Sequence, residues 1–127
     1  MNNTEAVNRV DTRRLKNGRM RLRFKLSREA IETVNTALNI ATKMAGYKYS
    51  HSALEAMAFS FMSFEKFEIG SMVSSQGSNR FLVKFYPDQY ELFTLALNDA
   101  REYVETDADA LVMMCLNFIR NESLNDG

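Results

Sequence analysis

The stretch that decides the fold is Met20-Arg21-Leu22-Arg23-Phe24-Lys25-Leu26, in which apolar and basic residues alternate without interruption. A period of two is typical of a strand that buries one face and exposes the other. The pattern therefore predicts that the apolar side chains rest on a core while the basic ones project together on the opposite side. An ordinary solvated sheet face is the alternative, but such a face more often mixes acids with bases. The predicted outward set is Arg21, Arg23 and Lys25.

Two helices are predicted after this strand. Ser27 suits the N-cap of the first helix, apolar residues recur at helical spacing after it, and Gly46 suits its end. Ser52 with Glu55 three residues later forms a capping box, which predicts a second helix through about residue 64.

The same order of strand, helix and helix returns in residues 80–120. A second alternating strand spans residues 80–86, Pro87 suits the first position of a helix, and Thr106 suits the N-cap of a helix over about 107–120. The two copies also align residue by residue, with a shift that shortens by two residues after the turn between the helices. We therefore interpret the chain as an internal duplication. Aligned pairs include Arg21 with Arg80, Lys25 with Lys84, Glu32 with Glu91, Ala41 with Ala100, Met57 with Met114, and Phe61 with Phe118.

Charge is distributed unevenly along the chain, although 16 bases balance 16 acids overall. Residues 1–28 carry nine bases and two acids, a net charge of +7. Residues 29–127 carry seven bases and fourteen acids, a net charge of −7. Such asymmetry indicates an anionic partner for the basic end, and a solvated charged tail is the alternative. The predicted organisation is a flexible basic arm (1–18), a first unit (19–69), a flexible linker (70–79), a second unit (80–121) and a tail (122–127).

The second helix of each copy is apolar nearly all round, so it must lie centrally in the fold. One strand-helix-helix unit is too thin to bury such a helix, whereas two units paired strand to strand can do so. We therefore expect a mostly α fold with a two-stranded antiparallel β-ribbon, formed as an intramolecular pseudo-dimer. Pairing of each unit with its twin in a second chain, as a homodimer, remains open.

This arrangement resembles the ribbon-helix-helix family, the MetJ/Arc class of DNA-binding proteins. The resemblance rests on the basic alternating strand at residues 21–26 and on the segment between the helices at residues 46–54. The tandem order is similar to that of the TraY relaxosome proteins of conjugative plasmids. The likeness covers about residues 19–64 and 80–120 at the level of pattern. It implies double-stranded DNA as the partner.

A two-stranded ribbon fits the major groove, where its outward side chains meet base edges. Arginine can bond two guanine acceptors, whereas leucine offers only apolar contact, for instance to a thymine methyl group. The two strands would therefore read unlike sequences, which predicts an asymmetric site or two unequal half-sites. The expected base-reading residues are Arg21, Arg23 and Lys25 from the first strand and Arg80, Leu82 and Lys84 from the second.

The resemblance also implies a phosphate clamp at the N-terminus of each second helix. The second copy departs from this pattern, because Asp107 and Asp109 stand at that point. These acids either stabilise their helix or meet a protein partner. Residues of the arm would follow the DNA backbone or enter a minor groove, and a disordered arm is the alternative. The expected backbone contacts are Arg13, Arg14, Lys16 and Arg19 from the arm and Lys48, Ser50, His51 and Ser52 from the first copy.

Catalysis and cofactors are not expected. The chain has one histidine and one cysteine, which excludes a Cys/His metal cluster, and a pair of His51 with Cys115 would require the fold to bring them together. The single cysteine also excludes an internal disulfide and suits a reducing compartment.

No apolar run approaches the roughly 20 residues of a membrane span, and the N-terminus lacks the apolar core of a signal peptide. We expect a bacterial cytoplasmic protein, associated with the nucleoid or a plasmid.

The expected function is sequence-specific DNA binding by a transcriptional regulator, with a relaxosome or partition accessory as an alternative. A rival from another class is a protein-interaction module, either an antitoxin or the partner of an activator. Such a module would bind protein through the acidic second half, with Leu82, Asp107 and Asp109 as its supporting features.

Overall fold

The computed structural model of the chain describes residues 10–63, 66 and 74–125. That part is mostly helical and carries a small antiparallel sheet, as the sequence predicts. The strands are β1 (Asp11–Arg14), β2 (Met20–Leu26) and β3 (Asn79–Phe85), and the helices are α1 (Arg28–Ala45), α2 (Ser50–Ser63), α3 (Pro87–Ala100) and α4 (Asp107–Asn125).

The centre of the sheet is the antiparallel pair of β2 and β3, in which Met20 lies opposite Phe85 and Leu26 lies opposite Asn79. Alternate side chains of both strands are buried against the helices, so the period of two does mark one buried and one open face. The buried set is Met20, Leu22, Phe24 and Leu26 from β2 and Phe81, Val83 and Phe85 from β3.

The predicted two-stranded ribbon is wrong in its strand count. Asp11–Arg14, within the predicted arm, forms a third strand that pairs antiparallel with the outer edge of β2. The hairpin closes through a hydrogen bond from Leu15 N–H to Arg19 O (2.8 Å), and Gly18 adopts a positive φ of 87° in the turn. All four side chains of β1 are exposed, so no hydrophobic alternation marked the strand. The rest of the predicted arm, residues 1–9, lies outside the described residues.

The helices of the two halves interlock. The second helix of each half packs on the first helix of the other, α2 against α3 and α4 against α1, and α2 also contacts α4. This exchange of partners places the two most apolar helices in the middle, as their composition predicts. Their buried side chains include Ala53, Leu54, Met57, Ala58 and Phe61 of α2 and Ala110, Leu111, Met113, Met114 and Cys115 of α4.

Local signals set most helix ends correctly. Ser27 Oγ accepts a hydrogen bond from Ala30 N (3.1 Å), and Gly46 ends α1 with a φ of 75°. The capping box predicted at Ser52 is wrong, because α2 begins two residues earlier, at Ser50. At the start of α4, Thr106 Oγ1 accepts from the amide of the third helical residue (3.0 Å), which confirms the predicted cap.

The predicted linker is structured where it is described. Residues 70–73 lie outside the described part, but Ser75 is buried and its carbonyl accepts from Ser27 N (2.8 Å). Gln76 then forms a bridge to Leu26 at the end of β2. The segment before β3 therefore runs against the junction of β2 and α1.

Gly77 is required by close packing of this segment on backbone. A Cβ atom at that position would lie 2.5 Å from Ser27 Cα and 2.6 Å from Leu26 O, and neither atom can move alone. Gly77→Ala is therefore expected to lower the free energy of unfolding by about 1–3 kcal/mol, the usual range for overpacking. Urea denaturation measures this, with Ser78→Ala, at the exposed neighbouring position, as the control. Equal stability of the two variants would contradict the packing argument.

Candidate nucleic-acid interface

One face of the sheet carries all six side chains that the sequence predicts to read bases. Across β2 and β3, directly opposed residues project to the same side, away from the buried set. We call this surface, with the residues that β1 adds to it, the outer sheet face. Its opposed pairs are Arg21 with Lys84, Arg23 with Leu82, and Lys25 with Arg80.

The outer sheet face is strongly cationic. β2 and β3 contribute five basic side chains to it and no acid. β1 adds Arg13, opposite Arg21, and Asp11, opposite Arg23. Six cations therefore share the surface with one carboxylate. Like charges held close together repel, and an anion placed on this face would reduce that repulsion.

The exposure of these side chains is uneven. Lys25, Arg80 and Lys84 are exposed, and Leu82 is 50% exposed, an apolar side chain set among cations. In contrast, the side chains of Arg21 and Arg23 are only 21% and 31% exposed.

The half-burial of the two arginines involves Asp11. Its Oδ2 lies 2.9 Å from Nη2 of Arg23 and 3.7 Å from Nη2 of Arg21. The Nε atoms of both arginines are buried without a hydrogen-bond partner. Both guanidinium groups therefore sit beside β1 and have unused donors.

An aromatic cluster lies at the end of the sheet where β2 begins and β3 ends. The Arg19 guanidinium stacks on the Tyr86 ring, 4.4 Å from its centroid, and its Nη2 donates to Lys84 O. The His51 ring meets Tyr86 edge-on and lies parallel to Tyr49, each with a centroid separation of 5.5 Å. Both tyrosines are exposed, so stacked rings and a cation face solvent together.

Gln89 ties this cluster to both halves of the chain. Its Oε1 accepts from Tyr86 N (2.9 Å), which leaves its Nε2 as the donor to His51 Nδ1 (3.1 Å). His51 therefore accepts at Nδ1 and, when neutral, carries its hydrogen on Nε2. The contact fixes the start of α2 beside the start of α3.

The clamp residues predicted in the first half of the chain lie together at the N-terminus of α2. The first backbone hydrogen bond of this helix runs from Ala53 N to Tyr49 O (3.0 Å), so the amides of the three preceding residues have no acceptor within the helix. Lys48 and Ser50 are exposed there, and His51 and Ser52 are half-buried. Sequence reasoning missed the tyrosines and Gln89, although the alternation Tyr47-Lys48-Tyr49 of aromatic and basic residues was visible.

The corresponding end of α4 is closed by the chain itself. Asp107, only 2% exposed, pairs with Arg101 Nη1 (2.8 Å) and accepts from Val10 N (2.7 Å). Asp109 Oδ1 accepts from Ser75 N (2.9 Å). The sequence left two roles open for these acids, to stabilise their helix or to meet a protein partner, and the structure adds a third, because both hold backbone amides of distant segments.

The arm residues expected at the DNA backbone separate in the structure. Arg13 joins the outer sheet face, whereas Arg14 stands opposite Met20 on the other side of β1. Lys16 is exposed in the turn before β2, and Arg19 is half-buried in the aromatic cluster.

Cys115 and His51, the two residues considered for a nucleophile pair, have different surroundings. Burial raises the pKa of the Cys115 thiol to about 12, and the ring contacts of His51 are with Tyr49 and Tyr86. Within the described residues, no three side chains of the metal-binding types are grouped to hold an ion. The helices of that same part include none that is long and apolar enough to cross a membrane.

The comparisons with known proteins add no relative. No protein-family model, curated protein or solved structure matches the chain. The family resemblance therefore remains an interpretation of the sequence, and a function has to be inferred from the outer sheet face.

Proposed function

We propose that the chain is a sequence-specific double-stranded DNA-binding protein that acts as a transcriptional regulator. The observation that carries the proposal is the outer sheet face, on which β2 and β3 align five cations and Leu82 in opposed pairs. Cations of this density suit the DNA backbone, and arginine forks suit guanine edges.

The dimensions of β2 and β3 support insertion into the major groove. Two paired strands lie about 4.8 Å apart, whereas the groove is about 12 Å wide. Side chains of the outer sheet face would point at the base edges while the helices stay outside. Because Arg23 lies opposite Leu82, the two strands present different side chains at the middle of the ribbon, one cationic and one apolar. We therefore propose an asymmetric site.

The chain order supports a ribbon-helix-helix interpretation. Strand, helix and helix occur twice, the strands pair antiparallel, and each second helix packs on the other half. We propose that the halves arose by duplication and form one pseudo-dimer within the chain. Light scattering of the DNA-free protein tests the pairing, since a 14.6 kDa species indicates pairing within one chain.

The asymmetry extends to the DNA backbone contacts. We propose one phosphate clamp, at the N-terminus of α2, where the first amides have no acceptor within the helix and Lys48 is exposed nearby in the chain. The start of α4 offers none, because Asp107 and Asp109 occupy it with internal contacts. The same contacts weaken one part of the rival proposal of a protein-interaction module, which relied on those two acids together with Leu82 and the acidic second half.

Selection of bound sites from random duplex DNA, followed by a salt titration, tests the proposal. Each phosphate contact contributes about −0.9 to the slope of log K against log salt. With five cations predicted at the DNA backbone, Arg13, Arg14, Lys16, Arg19 and Lys48, we expect a slope of about −4 to −5. We also expect enrichment of one asymmetric sequence. Absence of affinity at low salt would contradict DNA binding and favour the protein-interaction module.

A further inference from the structure

β1 lies where it restricts access to the two arginines best suited to read bases. The Asp11 carboxylate forms ion pairs with Arg23 at 2.9 Å and with Arg21 at 3.7 Å, so one anion lies beside both guanidinium groups. Guanine would present its N7 and O6 acceptors to these same donors. DNA and Asp11 would therefore compete for the same two cations.

The width of the sheet adds a steric conflict. Three strands at about 4.8 Å spacing place the outer backbones almost 10 Å apart. The atoms of the two edge strands then leave no clearance in a groove about 12 Å wide. β2 and β3 fit the groove together, but β1 cannot enter beside them. Asp11 would also bring a negative charge towards the phosphates.

β1 is weakly held by its own side chains. It has four residues at a sheet edge, and all four side chains are exposed. Its attachments are backbone pairing with β2, the ion pairs of Asp11, and the bond from Val10 N to Asp107. These ion pairs are only partly exposed, but none of the four side chains of β1 is buried in the core. Val10, just before the strand, does pack on the core, so we expect β1 to separate from β2 while Val10 stays in place.

We propose that β1 is an autoinhibitory strand, which must leave β2 before duplex DNA can contact Arg21 and Arg23. The proposal rests on the DNA-binding function proposed above and adds a regulatory step to it. In the DNA-free protein, Asp11 is the anion that pairs with both arginines. On binding, the duplex takes over both guanidinium groups and displaces the strand.

Asp11→Asn is the direct test. The substitution removes the competing charge while keeping the size of the side chain, so we expect affinity for the selected duplex to rise about two- to tenfold. Fluorescence anisotropy measures this at fixed salt. Glu91→Gln is the matched control, because it removes one acid from an exposed position on α3. Little change is expected for the control.

Hydrogen–deuterium exchange of the full chain provides the second measurement. On addition of the duplex, the amides of Asp11–Arg14 should lose protection while those of β2 and β3 gain it. Stable protection of β1 in the complex would overturn the inference, as would equal or weaker binding by Asp11→Asn. In either case, tight binding by the unmodified chain would leave the DNA-binding proposal standing. If neither protein binds the duplex at low salt, both proposals fail.

Discussion

Replacing Arg21 and Arg23 together with alanine is expected to lower affinity for the selected duplex by about 2–6 kcal/mol, roughly thirtyfold or more. Each arginine can offer a bidentate contact to guanine, and a good contact of this kind contributes about 1–3 kcal/mol of discrimination. Both residues project from the same face of β2, and their Nε atoms have no partner in the free protein. Anisotropy titration of the selected site and of a scrambled duplex measures the effect.

The ratio of specific to non-specific affinity separates base reading from simple charge attraction. A matched control is Arg28→Ala with Lys43→Ala, which removes two exposed cations from α1. The control should weaken both duplexes alike, because non-specific binding follows the charge. The Arg21 and Arg23 variant should lose most of its preference for the selected site. An unchanged ratio in that variant would contradict base reading by β2.

The central strands could be predicted because burial imposes an alternation on them. In β2 and β3, every second residue packs on the helices, so the sequence records the two faces directly. β1 carries no such record. Its side chains are all exposed, and it is held through backbone pairing with the edge of β2, which any sequence of extended residues can make.

The location of the outer sheet face could be predicted from the same alternation. The exposure of its arginines could not. The half-burial of Arg21 and Arg23 depends on Asp11, and Asp11 approaches them only because β1 forms. The aromatic cluster joins Arg19, His51 and Tyr86 from separate parts of the chain, and no local pattern encodes that meeting.

The contacts of the acids at the start of α4 could not be predicted from the sequence either. Sequence reasoning placed Asp107 and Asp109 at an exposed helix end, where acids commonly stabilise the helix dipole. Their partners are the amides of Val10 and Ser75, which approach from distant segments. The sequence around an acid does not show whether its carboxylate accepts a hydrogen bond from a distant segment or faces solvent.

Phe93→Ala is expected to lower the free energy of unfolding by about 3–5 kcal/mol, the usual cost of removing a buried aromatic ring. Phe93 is fully buried on α3, and its ring lies 4.8 Å from that of Phe85 and 6.3 Å from that of Phe24. Since small domains are stable by only about 5–15 kcal/mol, this loss is a large fraction of the total. Urea denaturation followed by circular dichroism measures the loss.

The control is Leu95→Ala, two residues along the same helix, where the side chain is 57% exposed. Its free energy of unfolding should change by no more than about 0.5 kcal/mol.

The number of unfolding transitions of Phe93→Ala tests whether the two halves of the chain fold together. Phe85 belongs to the same half of the chain as Phe93, whereas Phe24 belongs to the other half, so one ring contacts the strands of both. If the halves form a single pseudo-dimer, they must lose stability together in one cooperative transition. Two separate transitions would mean that each half folds alone, which contradicts the proposed pairing within the chain.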